Sequence, residues 1–206
     1  MPITKIKKGY RKTRYILYKE TLVDFKEHFW AFTGAFTGMG IIAYLQYNAF
    51  PKEDFVFLIG SFGASCVLVY GVIQSPLAQP RNLIGGHVIS AIAGVTAAKL
   101  FPDIIWLASA LAVAGAIVLM QVTKTLHPPG GATALIAVTG SPAILKLGYW
   151  YVITPVLTGA LILFSVALVF NNMTSNRQYP TSKKFTKFKN KISNRIKPNN
   201  DAAPIS

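Results

Sequence analysis

Two histidines, His87 and His127, stand in otherwise apolar sequence, and they are the groups there that titrate close to neutrality. Either can pass a proton to a bound anion or switch a gate. Each can equally be structural, His127 bracing a Pro-Pro turn and His87 sitting on a glycine-rich helix start. The other candidates are weak neutral donors: Gly130 and Gly131 followed by Thr133, and Gly63 followed by Ser65. A helix beginning at Gly130 or Gly131 turns its free N–H groups and positive dipole end forward, which favours a small anion. Two such starts, each with a hydroxyl, replace the hydration shell of a small monoanion without a fixed full charge, and so permit release as well as capture. Arg81, beside Asn82, would attract anions to a cytoplasmic mouth over a Debye length of about 8 Å. Its ordinary reading is a positively charged residue on the cytoplasmic side of a span.

These residues need elements to hold them, and the most informative is Leu126-His127-Pro128-Pro129-Gly130-Gly131-Ala132-Thr133-Ala134-Leu135. Two prolines remove backbone donors and push the residues before them out of helical geometry, while two glycines permit close approach of another backbone or a ligand. Such irregular backbone survives at membrane depth only where it is packed in protein or lines a polar cavity. The membrane setting follows from composition, with 52% hydrophobic residues, 14% charged and a mean hydropathy of +0.42. Charge is concentrated at the ends. Residues 1–27 carry eight Lys/Arg against three acids, residues 173–206 eight against one, and the middle five against three.

The sequence therefore divides into a basic cytoplasmic N-terminal segment (1–27), a transmembrane domain (28–172) and a basic, flexible cytoplasmic tail (173–206). Lys183-Lys184-Phe185-Thr186-Lys187-Phe188-Lys189 interleaves aromatics with cations, as a nucleic-acid site would. Next to hydrophobic spans it reads instead as an anchor on anionic lipid, and nucleic acid is not an expected partner. The first residues lack the apolar run of a signal peptide and the character of a transit peptide, so insertion is expected to use the first span. The lone Cys66 excludes an intrachain disulfide and a multi-cysteine metal site, and neither metal nor cofactor is expected.

An all-α membrane protein with about six embedded helical segments is predicted. Long apolar blocks run over about 28–50, 55–73, 83–101, 104–123 and 149–170, and a short helix from Ala132 towards Leu145. Tyr149, Trp150 and Tyr151 read as an interfacial anchor, and His28 as an interfacial residue. Gly63-Ala64-Ser65, with Gly71 and Ser75-Pro76 after it, is echoed by Gly131-Ala132-Thr133, with Gly140 and Ser141-Pro142. The chain is then two three-element repeats, and interrupted elements at matching places point to a transporter's substrate site; chance recurrence of small residues is the bland alternative. Two basic tails on one side require an even number of crossings: six, or four with two re-entrant helices. Six is favoured because it leaves Arg81 and Lys124 cytoplasmic.

The runs Gly60-Ser61-Phe62-Gly63-Ala64-Ser65, Ser75-Pro76-Leu77-Ala78-Gln79-Pro80-Arg81-Asn82, Gly85-Gly86-His87 and Leu126 to Leu135 closely resemble the HPP family of integral membrane proteins, over about residues 25–172. Plant members of that family are associated with nitrite transport across the chloroplast envelope. The resemblance thus implies a transporter of nitrite or a related small anion.

An enzyme is not expected. No Ser/His/acid set, paired carboxylates or metal-ligand cluster appears in the apolar blocks, and Glu53, Asp54 and Asp103 lie at span ends. The leading reading is a small-anion channel or transporter, expected in a prokaryotic plasma membrane with both termini cytoplasmic. The alternative is a membrane sensor or assembly subunit without transport activity. Glycine-rich faces and a small membrane domain point to a homo-oligomer.

Overall fold

The computed structural model describes residues 25–49, 56–173 and 177–182. The N-terminal basic segment up to residue 24, Pro51 to Asp54 and the Lys183–Lys189 cluster lie outside the described residues. The first helix, α1 (Phe25–Ala49), has 25 residues, about 37 Å of rise. Its buried positions are Gly34, Gly38, Ile42 and Gln46, one every four residues, so a single narrow stripe meets the protein. Phe25, Phe29, Phe32 and Phe36 face outward.

Next comes α2 (Gly60–Cys66), which continues into a wide turn over Val67–Gly71. Together they make a 12-residue apolar element of about 18 Å, little more than half the thickness of a hydrocarbon core. A 3-10 turn, Pro76–Ala78, leads into α3 (Pro80–Leu100), and the tight Pro102-Asp103 turn returns the chain through α4 (Ile105–Val122). The short α5 (Pro129–Thr139) and α6 (Pro142–Leu147) follow. A wide, kinked turn over Val152–Leu157, where Thr154 leaves helical geometry, opens into α7 (Thr158–Phe170). Among the described residues, three helical stretches are long and apolar enough to cross a membrane: Pro80–Leu100, Ile105–Val122 and Val152–Phe170. α1 has the length but is more polar, with Thr33, Thr37, Gln46 and Asn48 along it.

Three expectations need correction. The helix after His127 begins at Pro129, not at a glycine, because a proline at the first helical position lacks only an amide that has no intrahelical partner there. The last apolar block is not one helix from residue 149: Gly148 turns at φ +52° and Thr154 breaks the following turn. Tyr151 is buried, unlike Tyr149 and Trp150 beside it, which remain exposed.

The centre of the fold is α3, which packs against α4, α5 and the Val152–Leu157 turn. Small residues set these approaches. A Cβ on Gly94 would lie 2.3 Å from the carbonyl oxygen of Ala134, and one on Gly86 2.4 Å from Cβ of His127. On α4 the buried stripe is Ala108, Ala112, Ala116 and Met120. Where hydrophobicity cannot drive helix association, because lipid tails are equally apolar, close van der Waals packing through small side chains does.

The wide turn after α2 frees carbonyls that a regular helix would use. Asn171 Nδ2 donates to the carbonyl of Val69 at 2.8 Å, and Arg177 Nη2 to that of Tyr70 at 3.0 Å. Arg177 also pairs with the Glu27 carboxylate at the start of α1, and Tyr179 OH donates to the carbonyl of Ala78 at 2.7 Å. Arg177 and Tyr179 are thus built into the packed domain.

Candidate functional site

Two of the short helices, α2 and α5, bring hydroxyls to one imidazole: Ser65 on α2 and Thr133 on α5. Both reach the imidazole of His87, which α3 presents on the same face as Ser90 and Gly94. Ser65 Oγ lies 2.7 Å from His87 Nε2, and Thr133 Oγ1 lies 2.7 Å from His87 Nδ1. Ser65 Oγ is also 3.0 Å from His127 Nε2, and His127 Nδ1 is 2.8 Å from the carbonyl oxygen of Leu77 in the Pro76–Ala78 turn. All four side chains are fully buried. The Phe62 ring closes against His87 in an edge-on contact, with centroids 5.4 Å apart.

Only one arrangement of protons uses all four of these contacts with neutral rings. A carbonyl can only accept, so His127 carries its proton on Nδ1 and must accept at Nε2. The donor to Nε2 is the Ser65 hydroxyl, so Ser65 must in turn accept from His87 Nε2–H. His87 Nδ1 then accepts from Thr133. The chain runs one way, Thr133 to His87 to Ser65 to His127 to Leu77. Ser65 and Thr133 each have a second acceptor one turn back, the carbonyls of Ser61 at 3.0 Å and Pro129 at 3.4 Å. The Ser61 hydroxyl, fully buried on the next turn of α2, has no hydrogen-bond partner.

Of the residues singled out from sequence, the structure brings Ser65, His87, His127 and Thr133 into direct contact, and packs Gly130 against Ser90 and Gly86 of α3. A Cβ on Gly130 would lie 2.5 Å from Ser90 Oγ and 3.1 Å from the Gly86 carbonyl oxygen. Gly131 is half-buried with its nearest neighbour, Val113 Cγ1, 4.0 Å from a Cβ, and Gly63 has open space around it; neither joins the cluster. The amides of Gly130 and Gly131, expected to be free, donate to the carbonyls of His127 and Pro128 at 2.8 and 3.1 Å, because the turn at Pro128 folds those carbonyls back over them. Arg81 is exposed and donates to the carbonyl of Thr123 at 2.7 Å, and Asn82 donates to that of Leu126 at 2.7 Å. Both therefore tie the segment entering His127 to the start of α3.

Sequence reasoning missed the Leu77 carbonyl, Ser61, Ser90 and the buried role of Tyr151, whose hydroxyl donates to the carbonyl of Thr133 at 3.1 Å. Tyr151 also lines a cleft of about 220 Å³ at the far end of α3, together with Val95, Lys99, Ile105, Val138 and Leu145. Lys99 Nζ sits 5.8 Å from the Tyr149 ring centroid at its edge. A polar track thus links the Leu77 turn, at the Arg81 end of α3, through the histidines and Thr133 to a cleft with a cation at the other end. Among the described residues, no group of three or more His, Cys, Asp or Glu side chains is placed to hold a metal ion.

Apolar helices of spanning length around a buried polar cluster define an α-helical integral membrane protein. The chain belongs to the HPP transmembrane family, whose model for the HPP transmembrane region matches residues 20–180. Two Dictyostelium discoideum proteins, named only as transmembrane proteins, are 45% and 42% identical to it over 160 residues, 76% of this chain. Those residues cover 56% and 51% of the two relatives, so the chain spans about half the length of the curated relatives it matches. They are eukaryotic proteins, and so lend no support to the expected prokaryotic membrane. No solved structure matches the chain.

Proposed function

We propose that this protein transports a small monovalent anion, nitrite or one of similar size, across its membrane. The observation that carries the reading is the Thr133–His87–Ser65–His127 chain, fully buried where two sub-spanning helices meet. Ionisable and polar groups inside a membrane domain are costly, and they ordinarily mark a transport path or a proton relay. Short interrupted helices meeting in the interior are a recurrent architecture for substrate sites.

The closed amides at the start of α5 move the proposed anion contacts from the backbone to the hydroxyls and imidazoles. An anion accepting from Ser65 or Thr133 takes over a hydrogen bond that the hydroxyl now gives to an imidazole. Such exchange keeps binding weak enough for release. Lys99 and its cleft form one mouth in this proposal, and basic residues around Arg81 and Lys124 the cytoplasmic mouth, with both tails on that side. No step requires a covalent intermediate, and the protein is proposed to act as a carrier rather than an enzyme, within a homo-oligomer held in anionic lipid.

Purified protein in liposomes, challenged in turn with nitrite, nitrate, formate and chloride gradients, tests the proposal. Flux above protein-free liposomes for at least one anion is expected. Flux no greater than that of empty vesicles for all four would overturn it and favour a sensor or assembly role.

A further inference from the structure

Resting on the transport reading, we infer that the buried chain is a proton relay and that the anion crosses together with a proton. Each of its four side chains can donate and accept in turn, which is the requirement for handing a proton along a row. The links are 2.7, 2.7 and 3.0 Å, within transfer distance, and beyond the four side chains the Leu77 carbonyl accepts at 2.8 Å.

The step balances as follows. A hydronium ion arriving with the anion gives its proton to Thr133 Oγ1 as that hydroxyl passes its own proton to His87 Nδ1, and the renewed hydroxyl then turns to its second acceptor, the Pro129 carbonyl. His87, now an imidazolium, gives its Nε2 proton to Ser65 Oγ while Ser65 gives its own proton to His127 Nε2. The positive charge has moved from His87 to His127, whose two N–H groups then point at Ser65 and at Leu77. Release of the Nδ1 proton to water at the Pro76–Ala78 turn, beside exposed Pro76 and Pro128, leaves the three side-chain links reversed and the bond to the Leu77 carbonyl open. Rotation of the two hydroxyls and tautomer exchange of the two rings restore the first arrangement.

Electrostatics makes the anion the proton's companion. An imidazolium formed here is a buried cation, which costs several kcal/mol unless a counter-charge accompanies it. The groups on the two rings supply none: Ser65 and Phe62 from α2 and Thr133 from α5 are uncharged, as are the buried Ser61, Ser90 and Met120 nearby, and Tyr151 reaches Thr133 through a neutral hydroxyl. Cys66, next to Ser65, is a thiol in the apolar core. Arg81, at the α3 start, points to the Thr123 carbonyl and is of the wrong sign. No carboxylate among the described residues bonds to either ring. A bound monoanion supplies the missing charge, so the charged form of the relay and the occupied site stabilise each other.

Proteoliposomes loaded with a fluorescent pH indicator test this, with voltage clamped at zero by valinomycin and equal potassium. Nitrate is the probe, because it stays ionised and does not cross lipid as a neutral acid. Inward nitrate flux should acidify the lumen. Ser65→Ala, which leaves both imidazoles but removes the hydroxyl between them, should lower the acidification per nitrate at least tenfold, and Ser65→Thr should restore it. Nitrate uptake with an unchanged lumenal pH in the native protein would overturn the relay and leave the transport reading standing. A nitrate trace no different from that of empty liposomes would overturn the relay as stated, and would remove the transport reading with it where nitrite, formate and chloride are equally inert. The native measurement decides the matter even if Ser65→Ala does not fold.

Discussion

His87 and His127 lie with ring centroids 5.0 Å apart at an interplanar angle of 60°, yet no hydrogen bond joins them. Their Nε2 atoms converge instead on one hydroxyl, that of Ser65, 22 and 62 residues away in sequence. A pair so arranged communicates only through the serine, and the neutral rings leave one direction of donation available.

Thr133 starts that direction. Thr133→Val keeps the shape of the side chain but leaves His87 Nδ1 without its donor in a site water does not reach. The expected cost is about 1–2 kcal/mol of stability, the range measured for interhelical hydrogen bonds in membranes and for unsatisfied buried polar groups. Anion flux should fall more than tenfold. Thr133→Ser should recover both, as read from thermal melting in detergent and from liposome flux. Equal loss in the serine and valine variants would mean that the methyl, not the hydroxyl, matters.

The glycines divide by position. Gly94→Ala places a methyl against the Ala134 carbonyl and Gly86→Ala one against His127 and the Thr125 carbonyl, backbone contacts that cannot yield without moving α5 or its entry turn. Each should lower stability by about 1–3 kcal/mol. Gly63→Ala and Gly131→Ala meet no neighbour closer than 4.0 Å and should melt like the parent. A larger loss in Gly131→Ala than in Gly94→Ala, by melting temperature, would contradict the helix packing described above.

That division shows what the sequence could and could not disclose. The helix-breaking His-Pro-Pro-Gly-Gly element, the short helix after it and the matching places of Ser65 and Thr133 are local patterns, and they were legible. The Ser-Pro pairs were too: Ser75 Oγ accepts from the amide of Leu77, and Ser141 Oγ from that of Ile144, so both cap the turn they precede. Which face of a uniformly apolar helix meets protein rather than lipid is not a periodicity, because both environments take the same residues. For that reason Tyr151 read as interfacial and Gly131 as cavity-lining. The Leu77 carbonyl carries no side-chain signal at all. Arg177, one of many cations in a basic tail, gives no sign in the sequence that it is buried.

Arg177 offers a test of how the ends of the domain are fastened. Its guanidinium is 2% exposed and is held by Glu27, Asn171 and the Tyr70 carbonyl. Glu27→Gln removes the counter-charge and leaves the cation in place, which for buried pairs costs about 3–5 kcal/mol. The partial exposure of Glu27, 32%, puts the expectation at the lower end. Melting in detergent should show the loss. A double variant with Arg177→Met should recover part of it, since the unpaired charge is then gone. No recovery in the double variant would show that the other Arg177 bonds, rather than charge, fasten the strap.

Lys99 allows a test that separates attraction of the proposed anion from its passage. Lys99 makes an aromatic contact with Tyr149 at the edge of a cleft otherwise lined by apolar side chains, and its Nζ lies 3.7 Å from the position a Cβ on Gly148 would take. As a mouth residue of the proposed transport path it would raise local anion concentration without touching the buried chain. Lys99→Gln should therefore raise the KM for anion uptake several-fold with little change in kcat. The difference should shrink as ionic strength rises from about 0.01 M to 1 M, as the Debye length falls from about 30 Å to 3 Å. Initial uptake rates across anion concentrations at two salt levels, balanced with impermeant gluconate, measure both effects. A fall in kcat with unchanged KM would place Lys99 in the transport step itself, and an unchanged KM at low salt would show that anions do not enter by this cleft.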